Sequence, residues 1–227
     1  VEVQIITQKP EIPLSEIDAV KARLREYTDR VNKGDDFATL ARLYSEDGSS
    51  QKGGELGFMG RAQLVPEFAS MAFSLSDPKK VSNIVETEYG FHIIQLIERR
   101  GDRINTRHIL LKPKVPREEI DKSMGKMDSL IMDIQANKYT FEDAAQYVSA
   151  DKDTRNNKGI MVNKDYSSTY SGTSRFEMKE LPQEIAKVVD TLSINQISRP
   201  FVMLDDKGKQ MIAIVKLRNR IEGHRAN

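Results

Sequence analysis

The sequence predicts an α+β fold of two tandem domains, each a small four-stranded antiparallel sheet covered by helices. Three pairs of similar segments occur in the same order: KPEIP at 9–13 with KPKVP at 112–116, DFATLARLYSED at 36–47 with TFEDAAQYVSAD at 140–151, and LVPEFASMAFSL at 64–75 with LPQEIAKVVDTL at 181–192. Chance explains one such match but not three in order, so we expect a duplicated unit. The polar, Gly-containing stretch at Gly101-Asp102 predicts domains 1–101 and 102–227.

Each repeat has the same predicted order of elements. The opening β-rich runs are 1–7 and 104–111, and the closing ones are 82–87, 91–97, 197–204 and 210–217. Apolar residues at spacings of three and four predict long helices over 17–31, with Ser15 as N-cap, and over 120–134. Shorter second helices are expected after Asp36 and Thr140, which are good capping residues. This order predicts helices packed on an antiparallel sheet.

Composition limits the classes of function. Lys and Arg (35) nearly balance Asp and Glu (34), and the two signs are interleaved, so we expect no nucleic-acid partner. The absence of cysteine excludes disulfides and Cys-ligated zinc, and the three scattered histidines predict no metal site; His224 is expected to be exposed. No apolar run approaches the roughly 20 residues of a membrane helix, and the opening VEVQII does not resemble a signal peptide.

Two spaced motifs in the first repeat resemble the parvulin family of peptidyl-prolyl isomerases. They are GGELGFMGRAQLVPEF at 53–68 and ETEYGFHIIQL at 86–96, preceded by YSED at 44–47. The second repeat resembles the family more weakly. The resemblance implies an isomerase that acts on X-Pro bonds of unfolded or partly folded polypeptides. Tandem parvulin domains resemble periplasmic folding factors for secreted and outer-membrane proteins. We therefore expect a periplasmic location, with the signal peptide and flanking segments outside this chain.

The resemblance also assigns site residues in the first repeat. The pocket for the proline ring falls on Leu56, Leu64 and Phe68, and the wider substrate-binding set adds Met59 and Gln63. The implied catalytic positions are Asp47, Thr87, Tyr89 and His92. The family's other histidine, on the first strand, has no counterpart in this repeat, because that position falls on Gln4 or Ile5.

The second repeat departs from the family pattern in the opposite way. It keeps the first-strand His108 and the acidic Asp151, but it has Ile212 or Ala213 where the closing-strand histidine would stand. Its vestigial pocket would consist of Met161, Leu181 and Ile185. We therefore expect weak activity, confined to the first repeat, and an inactive second repeat.

Rotation about an X-Pro bond makes and breaks no bond, so the chemistry needs no cofactor, nucleophile or metal. Amide resonance sets the barrier at about 18–20 kcal/mol. A dry pocket that favours the twisted amide over both planar forms is sufficient. Three alternatives stay open: His92 as a core histidine, Asp47 as a turn residue before Gly48, and a non-catalytic chaperone (holdase) that binds Pro-containing or aromatic-rich segments.

Overall fold

The structure, a computed structural model, describes residues 1–221; His224 lies outside them. The strands are β1 Glu2–Gln8, β2 Glu55–Gly60, β3 Val85–Thr87, β4 Gly90–Arg100, β5 Arg103–Leu111, β6 Phe201–Leu204 and β7 Gln210–Asn219. The helices are α1 Leu14–Asn32, α2 Phe37–Tyr44, α3 Pro66–Ser74, α4 Arg117–Gln135, α5 Phe141–Val148, α6 Lys152–Asn156 and α7 Gln183–Asp190. None of the helices within residues 1–221 has the length and apolar character needed to cross a membrane.

The chain divides into two compact units whose bounds differ from the predicted domains 1–101 and 102–227. Unit A is Ile12–Lys114, and unit B combines Val1–Glu11 with Val115–Asn227. The predicted boundary falls in the two-residue turn between β4 and β5, which pair as an antiparallel hairpin. A turn this short keeps the two strands side by side. The first strand of the second repeat therefore belongs to unit A, and β1 belongs to unit B.

Unit A is a four-stranded antiparallel sheet covered by helices, as the sequence predicts, and the structure places these helices on both faces. The strand order is β2-β5-β4-β3, so β5 and β4 are central. Helices α1 and α2 pack on one face through Leu24, Phe37 and Leu40, and α3 packs on the other through Phe68. Because side chains alternate along a strand, every second residue of β4 and β5 points towards α3.

Unit B repeats this architecture with one strand fewer. Within the described residues its sheet has the order β1-β7-β6. Ile160, in the segment that corresponds to β2 of unit A, makes an isolated bridge with Gln4 instead of a ladder. Helices α4 and α5 cover one face of this sheet, and α7 covers the other. The α+β class is confirmed for both units, and the prediction of four strands is wrong for unit B.

Two of the three predicted helix caps are confirmed. Asp36 accepts a hydrogen bond from the backbone N–H of Thr39 at 2.9 Å, and Thr140 accepts one from Asp143 at 3.1 Å. The prediction for Ser15 is wrong, because α1 begins at Leu14 with Pro13 in the N-cap position. The proline ring fixes a backbone φ of −61°, which suits the entry to a helix.

Candidate functional site

Four polar side chains form a continuous hydrogen-bonded network on the α3 face of unit A. His108 Nε2 lies 3.0 Å from Asp47 Oδ2, and the Nδ1 atoms of His108 and His92 are 3.1 Å apart. His92 Nε2 lies 2.7 Å from Thr87 Oγ1. The two imidazoles are buried, whereas the Asp47 side chain is 31% exposed. We call Asp47, His108, His92 and Thr87 the histidine network; its one partly open end is a carboxylate.

The charges of the histidine network follow from its surroundings. The hydrogen bond from His108 and those from Ser49 hold the pKa of Asp47 far below its usual range, so the carboxylate is ionised and accepts. Burial, followed by the neighbouring His108, lowers the pKa of His92 to about 3. One assignment of protons satisfies the whole network: Thr87 donates to His92, His92 donates to His108, and His108 donates to Asp47.

Phe68 lies beside both imidazoles. Its ring centroid is 5.5 Å from that of His92 and 5.4 Å from that of His108, with interplanar angles of 83° and 87°. Leu56 and Leu64 are partly buried and pack against the same apolar cluster. We call Phe68, Leu56 and Leu64 the Phe68 cluster. The predicted pocket residues are thus brought together, directly against the histidine network.

The remaining predicted site residues lie around this centre. Met59 pairs with Ile104 across β2 and β5, which places it on the face of the Phe68 cluster. Gln63 is exposed, and its Oε1 accepts a hydrogen bond from the backbone of Gly60 at 2.9 Å. Tyr89 contributes its backbone N–H, 3.1 Å from Thr87 Oγ1, while its side chain is 38% exposed.

Backbone contacts of β5 place His108 in the network. The His108 N–H donates to the Gly54 carbonyl at 3.0 Å, and two residues later the Leu110 N–H donates to Ser45 Oγ at 3.0 Å. Ser49 adds its Oγ at 3.1 Å from His108 Nε2 and its N–H at 2.8 Å from Asp47 Oδ2. Our sequence reasoning missed Ser45 and Ser49, since a serine in a loop carries no distinctive signal.

The expectation that this site lacks a second histidine is wrong. Ile5 and Gln4 lie in unit B, and the position beside His92 is taken by His108 from β5. His108 was assigned to a vestigial site of the second repeat, in which the structure does not place it. The sequence left two alternatives open, His92 as a core histidine and Asp47 as a turn residue. In the structure each side chain contacts His108, and Asp47 additionally caps the 3-10 turn at Gly48.

Within residues 1–221 there is no cluster of three or more His, Cys, Asp or Glu side chains that could hold a metal ion. The histidine network offers a single carboxylate and two imidazoles that are hydrogen-bonded to each other. The arrangement places an apolar cluster beside a buried pair of imidazoles and a fixed negative charge.

Comparison with protein families identifies the family of this chain. The model of the rotamase family, the PPIC-type PPIase domain, matches residues 5–98 and again residues 108–219. The chain belongs to the PPIC-type PPIase domain family. The two matches coincide with the two sequence repeats, so each repeat is one copy of the PPIC-type pattern, whereas each compact unit combines parts of both.

Curated relatives carry the name Chaperone SurA. The protein of that name from Chromobacterium violaceum is 43% identical over 95 residues, which are 42% of this chain and 22% of the relative. The one from Dechloromonas aromatica is 45% identical over 87 residues, 38% of this chain and 19% of the relative. The one from Escherichia coli is 30% identical over 163 residues, 68% of this chain and 38% of the relative. The chain thus spans well under half the length of these relatives.

Unit B presents the same PPIC-type framework with apolar residues in place of the network. Matching backbone contacts align Ile5 with His108 and Ala213 with His92, since Thr7 pairs with Ala213 as Leu110 pairs with His92. The register thereby settles the choice between Ile212 and Ala213. Ile5, Ala213, Leu181 and Ile185 lie in one buried apolar cluster, with Met161 packed against it.

The acidic Asp151 of unit B has a structural contact. Its carboxylate accepts a hydrogen bond from the backbone N–H of Thr154 at 3.1 Å and so caps α6. Asp47 also caps a short turn, but it contacts an imidazole in addition. The predicted vestigial site is therefore an apolar core with a capping aspartate, because the two positions that carry histidine in unit A carry Ile5 and Ala213 here.

Substituting Gly54 by alanine is expected to displace β5 and destabilise unit A by at least about 2 kcal/mol. A Cβ on Gly54 would lie 2.2 Å from the His108 carbonyl oxygen, and φ at this residue is +80°. Both features disfavour any side chain. Urea unfolding of the Gly54→Ala chain measures the effect. Gly48→Ala is the control, since a Cβ there meets nothing within 4 Å; equal losses in the two variants would contradict the argument.

The buried neutral His92 predicts that unit A loses stability on acidification. Its pKa of about 3 in the folded unit lies below the value of about 6.5 in an unfolded chain. Between these values the unfolded chain binds a proton that the folded unit does not, so stability falls as the pH falls. We expect the free energy of unfolding to drop by roughly 3 kcal/mol from pH 7 to pH 4. Urea titrations at several pH values should give a smaller slope for His92→Gln; an unchanged slope would contradict this origin.

Proposed function

We propose that the chain is a peptidyl-prolyl cis–trans isomerase whose active site is the Phe68 cluster with the histidine network of unit A. The observation that supports this proposal is the contact of the Phe68 ring with both buried imidazoles, at 5.5 and 5.4 Å. An apolar platform for a prolyl ring and a fixed polar network beside it are the two parts that this reaction needs.

The Phe68 cluster binds the proline ring and removes water from the amide. Phe68 forms the floor, Leu56 and Leu64 form the walls, and Met59 and Gln63 lie at the rim. A planar amide is stabilised by resonance that separates charge between its oxygen and nitrogen. An apolar wall stabilises that charge separation less than water does, so it favours the twisted transition state over both planar forms.

Asp47 acts on the same charge separation. Resonance in the planar amide puts negative charge on the carbonyl oxygen, and a carboxylate close to that oxygen opposes it. The twisted amide carries less of this charge and is opposed less, which lowers the barrier. His108, His92 and Thr87 are positioning residues, because His108 hydrogen-bonds to the carboxylate, His92 to His108, and Thr87 to His92. Tyr89 supports Thr87 through its backbone N–H.

The assignment of His108 to unit A removes the reason for expecting weak activity. That expectation depended on a missing first-strand histidine, and His108 occupies the position beside His92. We therefore assign unit A a complete site. Unit B is assigned no catalysis, since Ile5 and Ala213 replace both histidines and pack in a buried apolar cluster.

The clients that fit this activity are unfolded or partly folded polypeptides with X-Pro or aromatic-rich segments. The name Chaperone SurA on the relatives supports a role in folding for this chain too. From the same resemblance we propose secreted or outer-membrane proteins as clients and the periplasm as the location. The proposed reaction requires no cofactor, metal or nucleic acid.

A second candidate is a holdase that binds clients without turning over their X-Pro bonds. Exposed apolar side chains in unit B favour it: Tyr147 is 83% exposed, and together with Tyr139 and Val148 it lines an open cavity of about 450 Å³. Exposed aromatic side chains beside a cavity suit binding of apolar client segments.

Exchange spectroscopy by NMR on a short X-Pro peptide separates the two candidates. A catalyst at substoichiometric concentration should accelerate cis–trans exchange of the peptide, whereas a holdase leaves the rate unchanged and suppresses aggregation of an unfolded client. Light scattering of a refolding client measures the second property in the same samples. An unchanged exchange rate at every chain concentration would overturn the isomerase proposal.

A further inference from the structure

The two repeats exchange their first strands. β1 opens the first repeat but pairs with β7 at the end of the second. β5 opens the second repeat but pairs with β4 at the end of the first. Each sheet therefore contains strands from both repeats. The histidine network does too, because His92 comes from the first repeat and His108 from the second.

The two first strands occupy equivalent backbone positions. His108 donates its N–H to the Gly54 carbonyl at 3.0 Å, and Ile5 donates to the Gly159 carbonyl at 2.8 Å. The hydroxyl groups of Ser45 and Ser149 likewise accept from corresponding residues of β5 and β1. Since backbone groups are alike in every residue, these contacts do not distinguish β1 from β5.

Side chains distinguish the strands at the His108 position. In unit A, His108 has Asp47 and His92 as partners. The corresponding residue in unit B, Ile5, packs in an apolar cluster with Ile185 and Ala213. A histidine placed there would have Ala213 in place of its partner His92, and an isoleucine in unit A would leave a buried imidazole and a carboxylate without their partner.

β1 also carries polar contacts that fit unit B. Gln4 is fully buried, and its amide donates to Glu142 at 2.8 Å and to the Lys158 carbonyl at 2.9 Å. Thr7 Oγ1 accepts from the backbone N–H of Asp151 at 3.1 Å. The corresponding residues of β5 are Arg107 and Leu110, and Leu110 has no side-chain oxygen to accept the hydrogen bond from Asp151.

The turn between β4 and β5 also favours the pairing of β5 with β4. It consists of Gly101 and Asp102, and Gly101 has φ of +57°, a left-handed conformation that glycine adopts readily. A two-residue turn of this kind returns the chain directly alongside the strand it leaves. β5 therefore lies next to β4, and β1 cannot occupy that position.

We propose that these features form a strand-selection device. In the exchanged pairing β5 lies beside β4 and the histidine network exists; in the alternative tandem pairing β1 would lie there, Ile5 would face His92, and the network would be lost. The contacts of His108 and the short turn hold the chain in the exchanged pairing. The consequence for catalysis rests on the proposed function; the strand assignment itself does not.

Disulfide cross-linking in the full chain tests the pairing, because the sequence contains no cysteine. Gln4 pairs with Lys216 in the exchanged arrangement. In the tandem arrangement it would replace Arg107 opposite Gln95. After mild oxidation and peptide mapping by mass spectrometry, we expect at least tenfold more intramolecular disulfide in Gln4→Cys/Lys216→Cys than in the matched pair Gln4→Cys/Gln95→Cys. The reverse preference would overturn the inference.

Isomerase assays test the consequence. His108→Ile should lower the exchange rate of an X-Pro peptide at least tenfold, and adding Ile5→His should not restore it. Restoration would place Ile5 beside His92 and overturn the selection device. The disulfide between positions 4 and 216, introduced into the same variants, reports whether β1 still pairs with β7. If it forms while the native chain accelerates no exchange, the proposed function fails and the strand assignment is supported.

Discussion

Replacing Phe68 by alanine is expected to lower kcat/KM for an X-Pro peptide at least tenfold, which corresponds to about 1.4 kcal/mol of transition-state stabilisation. The ring lies beside both imidazoles and is the apolar floor of the proposed site, so its removal is expected to open that site to water. Water restores the solvation of the planar amide, so the advantage of the twisted form is lost. Exchange spectroscopy on the peptide measures the effect.

Phe68→Ala is also expected to destabilise the chain, so two control variants are needed. Phe68 is 3% exposed, and truncating a buried phenylalanine to alanine typically costs about 3–5 kcal/mol. Phe68→Leu keeps an apolar side chain and should retain more of both stability and activity. Ile185→Ala truncates the corresponding residue of unit B and should cost stability without lowering the exchange rate. Loss of activity in Ile185→Ala, or full activity in folded Phe68→Ala, would contradict the assignment.

Asp47→Asn is expected to lower kcat about tenfold or more while KM changes little. The asparagine oxygen can still accept from His108, so the variant removes the charge and keeps the geometry. Because the charge acts on the twisting amide rather than on the bound proline ring, its loss appears in kcat. Steady-state kinetics on the same peptide separate the two constants.

The pH dependence of Asp47→Asn gives an independent check. The pKa of Asp47 is lowered by His108 and Ser49, so its ionised form stabilises the folded unit at pH values above about 4. That stabilisation is lost as the pH falls through the lowered pKa. The stability deficit of Asp47→Asn should therefore shrink on acidification.

Asp151→Asn, at the helix cap of unit B, should leave kcat unchanged; a fall in kcat there would contradict a site confined to unit A.

Much of the fold was predictable because local patterns and tertiary packing agree. Apolar periodicity over 17–31 and 120–134 lies within α1 and α4. Each opening and closing β-rich run contains a strand, although β3 covers only Val85–Thr87 of 82–87 and β6 only Phe201–Leu204 of 197–204. The missing fourth strand of unit B was less predictable. It depends on whether residues 159–162 pair along their length, and the structure forms one bridge at Ile160.

The strand exchange could have been read from one short signal. Two β-rich runs separated by Gly101-Asp102 are typical of a hairpin. The repeat pattern pointed the other way, because it assigns β5 to the start of the second copy. Which strands pair depends on side-chain contacts between residues far apart in sequence, such as that of Asp47 with His108. A single sequence does not show which of two similar strands makes these contacts.

For the same reason the site was predicted in pieces. Asp47, Thr87, His92 and Phe68 were each named; in the structure Thr87 and Phe68 contact His92, and Asp47 joins them through His108. His108, which contacts Asp47, His92 and Phe68, was placed in the other repeat. The roles of these residues in isomerisation stay predictions, and the variants above test them one at a time.

The most direct test is a titration of the full chain with an X-Pro peptide, followed by NMR chemical shifts and exchange cross-peaks together. The account predicts shifts at Leu64, Phe68 and His92, unchanged signals at Leu181 and Ile185, and accelerated cis–trans exchange of the bound peptide. Shifts confined to unit B, or binding at Phe68 without any acceleration, would contradict it.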